Sequence, residues 1–407
     1  MDMDMKSCIT EPERKTPVCA GYKTVVAGGG IAGISAALAA ARGGAKTLLI
    51  EKQFMLGGLA TAGLVTIYLP LCDGCGRQVS FGIAEELLRL SIADGCEGKY
   101  PAAWLENGSA EERRKTRFEV QYNPYIFSIR AEKLLLGAGV DILFGTSVCS
   151  AAVEDNRITH LVIENKSGRT AVAAENVIDC SGDADICRLS GEKTVNFSQG
   201  NVPAAWYYYT ENGENRLKML GFCDIPDSQK TAEQLESSKK STRFSGIDAK
   251  ELSDLTVYSH SLLLEDFLKK GKNSPARSLT SIAAIPQIRM TRRLDGAYTQ
   301  DDTESHKEYG DSAGLFSDWR KPGPVYELPF GSLHGEKIQN LAVAGRCISV
   351  TDAMWDITRV IPVCAVSGQA AGTAAALTDN FCELEIPRLQ AALRRSGVIL
   401  HELDLRR

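Results

Sequence analysis

The 407-residue chain is short of several things, and each shortage removes a class of protein. No apolar run reaches the roughly 18–20 residues that a bilayer-spanning helix needs. The richest stretch, Cys364 to Leu377, is interrupted by Ser367, Gly368, Gln369 and Gly372. There is no surplus of one charge: 46 Lys and Arg against 51 Asp and Glu leave a net −5, which argues against a nucleic-acid or anionic-membrane surface as the main partner. Histidine is scarce, and His160, His260, His306, His334 and His401 stand at no metal-ligand spacing, so no metal site is expected. The 12 cysteines, Cys8 and Cys223 among them, are scattered rather than dense, which excludes a disulfide scaffold. Met1 to Lys15 lacks the apolar core of a secretory signal, so a reducing cytoplasm is the expected location. There is no internal repeat and no low-complexity tract.

What is present is ordinary for a soluble globular protein: 44% hydrophobic and 24% charged residues. The length suggests two or three domains and a full core without staples. Residues 1–19 read as a loose lead. The strongest local pattern follows. Lys23 to Ala27 is a β-branched strand, Gly28-Gly29-Gly30-Ile31-Ala32-Gly33 satisfies GxGxxG, and Ile34 to Ala41 is an alanine-rich helix. A second strand, Lys46 to Ile50, closes on Glu51. Each part has a mechanical reason. Gly28 allows the tight turn, Gly30 lets backbone approach a pyrophosphate, and Gly33 lets helix lie on sheet. The helix N-terminus, with Ile31 and Ala32 in its first turn, offers free N–H groups to the anion. Glu51 is placed to accept ribose hydroxyls and disfavours a 2′-phosphate, so NADP is not expected here.

FAD and NAD share this fingerprint. Lys52 to Thr61 follows the acid directly and contains Gly57-Gly58, then Leu59 and Ala60. Here the chain resembles FAD-binding members of the glutathione-reductase superfamily, in which a Gly-Gly segment passes close to flavin and pyrophosphate. Three further segments carry the resemblance. Val140 to Val148 is similar to the strand whose backbone, here at Val148, faces the adenine. Val177 to Asp185 resembles the strand that ends in a Ser181-Gly182 turn under the nucleotide. Leu341 to Ser349 resembles the late strand and turn, Gly345-Arg346, at the ribityl side. Relatives often carry an acid where Arg346 stands. The run Arg346 to Ser349, Arg359 to Ala365 and Gly368 to Gly372 resembles a bacterial group of FAD-dependent oxidoreductases, distantly akin to fumarate reductase and succinate dehydrogenase flavoproteins.

The resemblance implies an α/β fold: a Rossmann-like FAD-binding domain of glutathione-reductase type with a β-meander over 151–175, plus an α+β cap. The FAD domain is expected at 20–67, 120–195 and 331–380, the cap at 68–119 and 196–330, and a tail at 381–407. Segment 68–119 is expected as a mobile lid or second cap piece. The last helix, Val360 to Leu377, is expected to aim its N-terminus, at Val360 and Ile361, toward the flavin. Candidate catalytic groups are Arg359 as an anion stabiliser, Arg292 as one half of an Arg292-Arg293 pair, and Asp356 as a general base. Arg292 and Arg293 alternate on a strand and therefore diverge. Structural ion pairing is the competing reading for Arg292, helix capping for Asp356 and core packing for Trp355. Cys72-Asp73-Gly74-Cys75 is a CxxC without a companion pair, so incidental cysteines are the simpler reading.

The expected function is a flavoenzyme holding FAD non-covalently and moving a hydride or electron pair to or from a small organic substrate, with an electron donor or acceptor as partner. Alternatives are a flavin-dependent isomerase or transferase, a flavin-binding sensor or assembly protein, and an NAD protein in which Gly57-Gly58 is coincidence.

Overall fold

The computed structural model describes residues 9, 11–221, 227, 230–239 and 242–406. Residues 1–8 and most of 222–229, with Cys8 and Cys223 among them, lie outside the described residues. The core is a seven-stranded sheet. Its strands are β1 (Val18–Ala27), β2 (Thr47–Ile50), β3 (Asp141–Leu143), β4 (Ser147–Glu154), β5 (Arg157–Asn165), β6 (Gly168–Asp179) and β7 (Leu341–Val343). The order is β3-β2-β1-β6-β5-β4, with β7 also on β6. β1 pairs parallel with β2 and β6, β2 with β3, and β6 with β7. This is a Rossmann-like α/β fold.

One strand joins two architectures. The first half of β6 pairs antiparallel with β5, and β5 with β4, to make the meander. Its second half, Val177 to Asp179, enters the parallel sheet beside β7. The meander strands are joined by turns at Asp155-Asn156 and Lys166-Ser167. Two expectations need correction. β1 already begins at Val18, so the expected lead is shorter than 19 residues. Val140 to Val148 is not one strand: Gly145 turns the chain with φ +58°, ending β3 and starting β4.

Helix α1 (Ile31–Arg42) packs on the sheet and is crossed by α3 (Ile361–Leu377). Their approach depends on the glycines of α3. A Cβ on Gly368 would lie 2.3 Å from Ala32 O, and one on Gly372 would lie 2.1 Å from Ala36 O. Short helix α2 (Asp352–Thr358) precedes α3 at a 92° bend. No single described helix is long and apolar enough to cross a membrane.

A separate three-stranded antiparallel sheet places Tyr207–Glu211 between Glu214–Lys218 and Arg277–Ile282. Alternation decides its faces. Tyr207 and Tyr209 pack with Leu263 and Phe267 of the helix Ala249–Lys269. Tyr208 turns the other way and its hydroxyl lies 2.7 Å from Thr66 Oγ1. Segment 68–119 is not a detached lid here. Leu71, Ile83, Leu87, Leu88, Trp104 and Phe118 are buried in the main core, and Ile83 N donates to Gln369 Oε1 of α3 at 2.8 Å.

Candidate functional site

The site is built where β1, β2, β6 and β7 end. Gly28 takes φ +106°, and a Cβ there would lie 2.4 Å from Cys180 O, so only glycine makes this turn. A Cβ on Gly33 would fall 1.8 Å from Gly28 O, which fixes how closely α1 leaves the strand. Gly30 is different: a Cβ there would meet nothing within 4 Å. The space over Gly30 is open. Gly57 N donates to Gly29 O at 2.8 Å, and a Cβ on Gly58 would lie 3.2 Å from Gly30 Cα. The Gly57-Gly58 segment therefore flanks the first glycine loop, with Leu59 and Ala60 in the 3₁₀ turn Gly58–Ala60.

Glu51 is 6% exposed. Its carboxylate accepts from Gly29 N at 2.6 Å and Gln53 N at 2.7 Å. Those bonds lock the acid to the glycine loop and leave further lone pairs for a ribose. Lys52 is exposed beside it. Thr146 N donates to Glu51 O at 3.1 Å, which brings the start of β4, and partly buried Val148, to the same mouth.

The Ser181-Gly182 turn is held from below. Buried Asp179 accepts from Ser181 N, Ser181 Oγ, Ile186 N and Cys187 N. Burial pushes its carboxyl above the usual range, against the pull of those bonds. Ser181 Oγ also accepts from Asp185 N at 3.0 Å, so this hydroxyl serves the turn rather than the open groove.

Two helix N-termini converge here. α1 begins at Gly30 and α3 at Val360; neither has a side-chain cap or an acid in its first turn. Gly345 joins them. A Cβ on Gly345 would lie 2.8 Å from Ala32 Cβ and 3.7 Å from Cys364 Sγ, and Gly345 N donates to Ser367 Oγ at 3.0 Å. Pro362 suits the start of α3, where no backbone N–H is needed. Unneutralised helix N-termini attract anions. A Gly30 position open to solvent, a ribose-type carboxylate and two uncapped termini fit a dinucleotide flavin.

The arginines divide sharply. Arg292 Nε donates to Asp183 O at 2.9 Å and its Nη2 to Asp185 Oδ1 at 2.7 Å. Arg346 Nη2 donates to Asp183 Oδ1 at 2.8 Å and its Nη1 to Ile288 O. Both therefore hold the 183–185 turn, and Arg346 also ties it to Ile288. Arg293 diverges from Arg292, as alternation requires, and lies over the Trp355 ring, 4.0 Å from Asp352. Trp355 is fully buried against Phe197 and donates to Arg346 O, so it is core and not a surface for substrate. Asp356 does not cap α2, a role taken by Thr351. It is fully buried and ion-paired with Arg359. Cys364 sits between Arg346 and Arg359, yet burial pushes its thiol up to about 12 against their pull.

Sequence reasoning missed Asp318 and Arg320, which pack beside Asp356, because no local pattern links residues 318–320 to 356–359. In the CxxC, Cys72 is buried and Cys75 exposed, and both are free thiols. Two cavities, of about 320 and 450 Å³, lie away from the glycine loop, beside His306 and Glu402 and beside Arg157 and Asn340.

A sequence profile of FAD-dependent oxidoreductases matches residues 24–251 and 201–393, nearly the whole of this arrangement. The chain belongs to the FAD-dependent oxidoreductase family. FAD is its cofactor. A thioredoxin reductase of Ureaplasma parvum serovar 3 is 33% identical over 72 residues, 18% of this chain and 23% of that protein, so the match spans under a quarter of the relative's length. Among solved structures, a geranylgeranyl bacteriochlorophyll reductase-like protein from Thermoplasma acidophilum aligns over 93% of this chain and 82% of its own, with TM-score 0.45 and 15% identity. The p-nitrophenol 4-monooxygenase of Pseudomonas putida aligns over 92% and 88%, with TM-score 0.45 and 12% identity.

Proposed function

We propose that the protein holds FAD non-covalently in glutathione-reductase fashion and moves a hydride or electron pair between it and a small organic substrate. The observation that carries this reading is the meeting of two uncapped helix N-termini at Gly345, below the open Gly30. Bound flavin supplies the redox chemistry. The chain supplies the rest. Backbone N–H groups of Ile31, Ala32 and Gly33 take the pyrophosphate, Glu51 the ribose, and the Gly57–Ala60 turn, the Ser181-Gly182 turn and Gly345 line the groove. Val360 and Ile361 present the N-terminus of α3 to negative charge that develops on reduction. Arg359, at the bend between α2 and α3, stands beside that terminus as the cation of an ion pair with Asp356.

In this proposal the nucleotide domain draws on 20–67, 120–195 and 331–380, and the cap on 196–330. Arg292 is a structural clamp rather than a substrate ligand, and Asp356 is a counter-ion rather than a base, because each is already tied in a short ion pair. An electron donor or acceptor completes the cycle, and free thiols suit a reducing cytoplasm.

The test is the visible spectrum of the purified protein, followed by denaturation. Yellow protein that releases FAD into the supernatant supports the reading, and an anaerobic screen for compounds that bleach the flavin then finds the substrate class. Flavin retained in the pellet refutes non-covalent attachment. Turnover with no electron acceptor supports an isomerase or transferase instead.

A further inference from the structure

Four charged side chains form a line from the hairpin Ser312–Ser317/Val325–Pro329 to the start of α3. Asp318 binds Arg320 Nε at 2.9 Å through Oδ1 and Nη2 at 2.9 Å through Oδ2. Arg320 Nη1 lies 3.5 Å from Asp356 Oδ2. Asp356 Oδ1 receives both Nε and Nη2 of Arg359. The two carboxylates are fully buried and the Arg359 side chain is 9% exposed. Trp319 Nε1 donates to Asp356 O at 2.9 Å and fastens the hairpin tip to α2.

Such a line is poorly explained by stability alone. Buried ion pairs roughly break even against apolar packing, because desolvation offsets their attraction. One atom is also under-served: Asp356 Oδ2 has no hydrogen bond, only the Arg320 charge at 3.5 Å. One oxygen of Asp356 thus serves Arg359, while the other is held by charge from the hairpin. Within these four side chains two cations face two anions, and the Asp302 charge also acts on Arg320. Neutralising Asp318 or Arg320 changes the net charge at the mouth of α3 by one unit, with opposite sign.

We infer that Asp318, Arg320 and Asp356 are positioning residues that hold the Arg359 guanidinium at the open end of α3 and set the reduction potential of the flavin bound there. The inference rests on the flavin placement proposed above. Charge in a water-poor site acts strongly on a redox centre. An Asp318→Asn change keeps the shape, leaves the line one charge more positive and stabilises the reduced, anionic flavin. Arg320→Gln leaves it one charge more negative and does the reverse.

The experiment is the midpoint potential of FAD-loaded protein, measured by equilibration with a reference dye, for wild type, Asp318→Asn and Arg320→Gln. The expected result is a shift to higher potential for Asp318→Asn and to lower potential for Arg320→Gln. Shifts of one sign in both, or none in either, overturn the inference, since a merely structural role gives no sign reversal. If Arg320→Gln does not hold FAD, Asp318→Asn decides alone, and only an upward shift upholds the inference. Wild-type protein without releasable FAD overturns the functional reading and this inference with it. Bound FAD with unmoved potentials overturns this inference only.

Discussion

Replacing Gly30 by alanine separates cofactor recognition from folding. The residue has φ −68° and ψ −177°, which any L-amino acid adopts, and a Cβ there meets nothing within 4 Å. The apo protein should therefore barely respond. Loss of glycine's unfolded-state freedom stabilises by about 0.4–1 kcal/mol. Alanine is a poorer N-cap than glycine by a comparable amount, and the two effects nearly cancel. Bound FAD meets a different situation. The new methyl group occupies the space through which a pyrophosphate reaches the first-turn N–H groups. Losing one or two hydrogen bonds to a charged group, at about 1.5–3 kcal/mol each, totals roughly 3 kcal/mol. That corresponds to about a hundredfold weaker binding. The assay pairs thermal unfolding of the apo form with an FAD titration followed by flavin fluorescence. Binding within threefold of wild type refutes the placement of the pyrophosphate. A large drop in apo stability refutes the claim that the space is open.

Gly372→Ala acts through the fold instead: its Cβ would lie 2.1 Å from Ala36 O, so α1 and α3 must part, and a loss of about 1–3 kcal/mol is expected by urea unfolding. Glu304 gives a pH signature. Burial raises its carboxyl, but Lys307, Tyr298, Tyr309 and the Asp301 N–H outweigh that and hold it down to about 2, from 4.5. Its stabilisation is complete above about 4.5 and is lost as pH falls toward 2, so Glu304→Gln should flatten that limb of the stability curve. Cys75→Ser should leave the flavin spectrum unchanged and stability within about 0.5 kcal/mol. In native protein a thiol reagent should modify exposed Cys75 and spare Cys72, which is buried and whose thiol burial pushes up.

The nucleotide half of the fold was legible because its requirements are local. Gly28 takes a positive φ, Gly33 answers a steric demand from Gly28 O five residues away, Gly30 leaves the space over the loop open, and Glu51 follows a short way along the chain. That Gly368 and Gly372 pack on α1 was not legible, since Ala32 and Ala36 lie more than 300 residues upstream. The division of labour among arginines was only half visible. Alternation separated Arg292 from Arg293, but which side meets an acid depends on Asp183 and Asp185, more than a hundred residues upstream. Asp356 looked like a base because Arg320, which faces its second oxygen, comes from a hairpin with no sequence mark. Val140 to Val148 resembles a single strand of the superfamily, and Gly145 at φ +58° marks where this chain breaks it.

Strand β7 enters the sheet at Val177 to Asp179, and α3 lies on Ala32 and Ala36 of α1. During synthesis the ribosome therefore releases the glycine loop more than 300 residues before the pieces that complete it. Until then the end of β6 has one free edge and α1 one bare flank. A chain halted before β7 lacks α3 and so cannot assemble the double helix-terminus seat. In the proposed placement, the two-helix seat is complete only once the chain has been read through to α3.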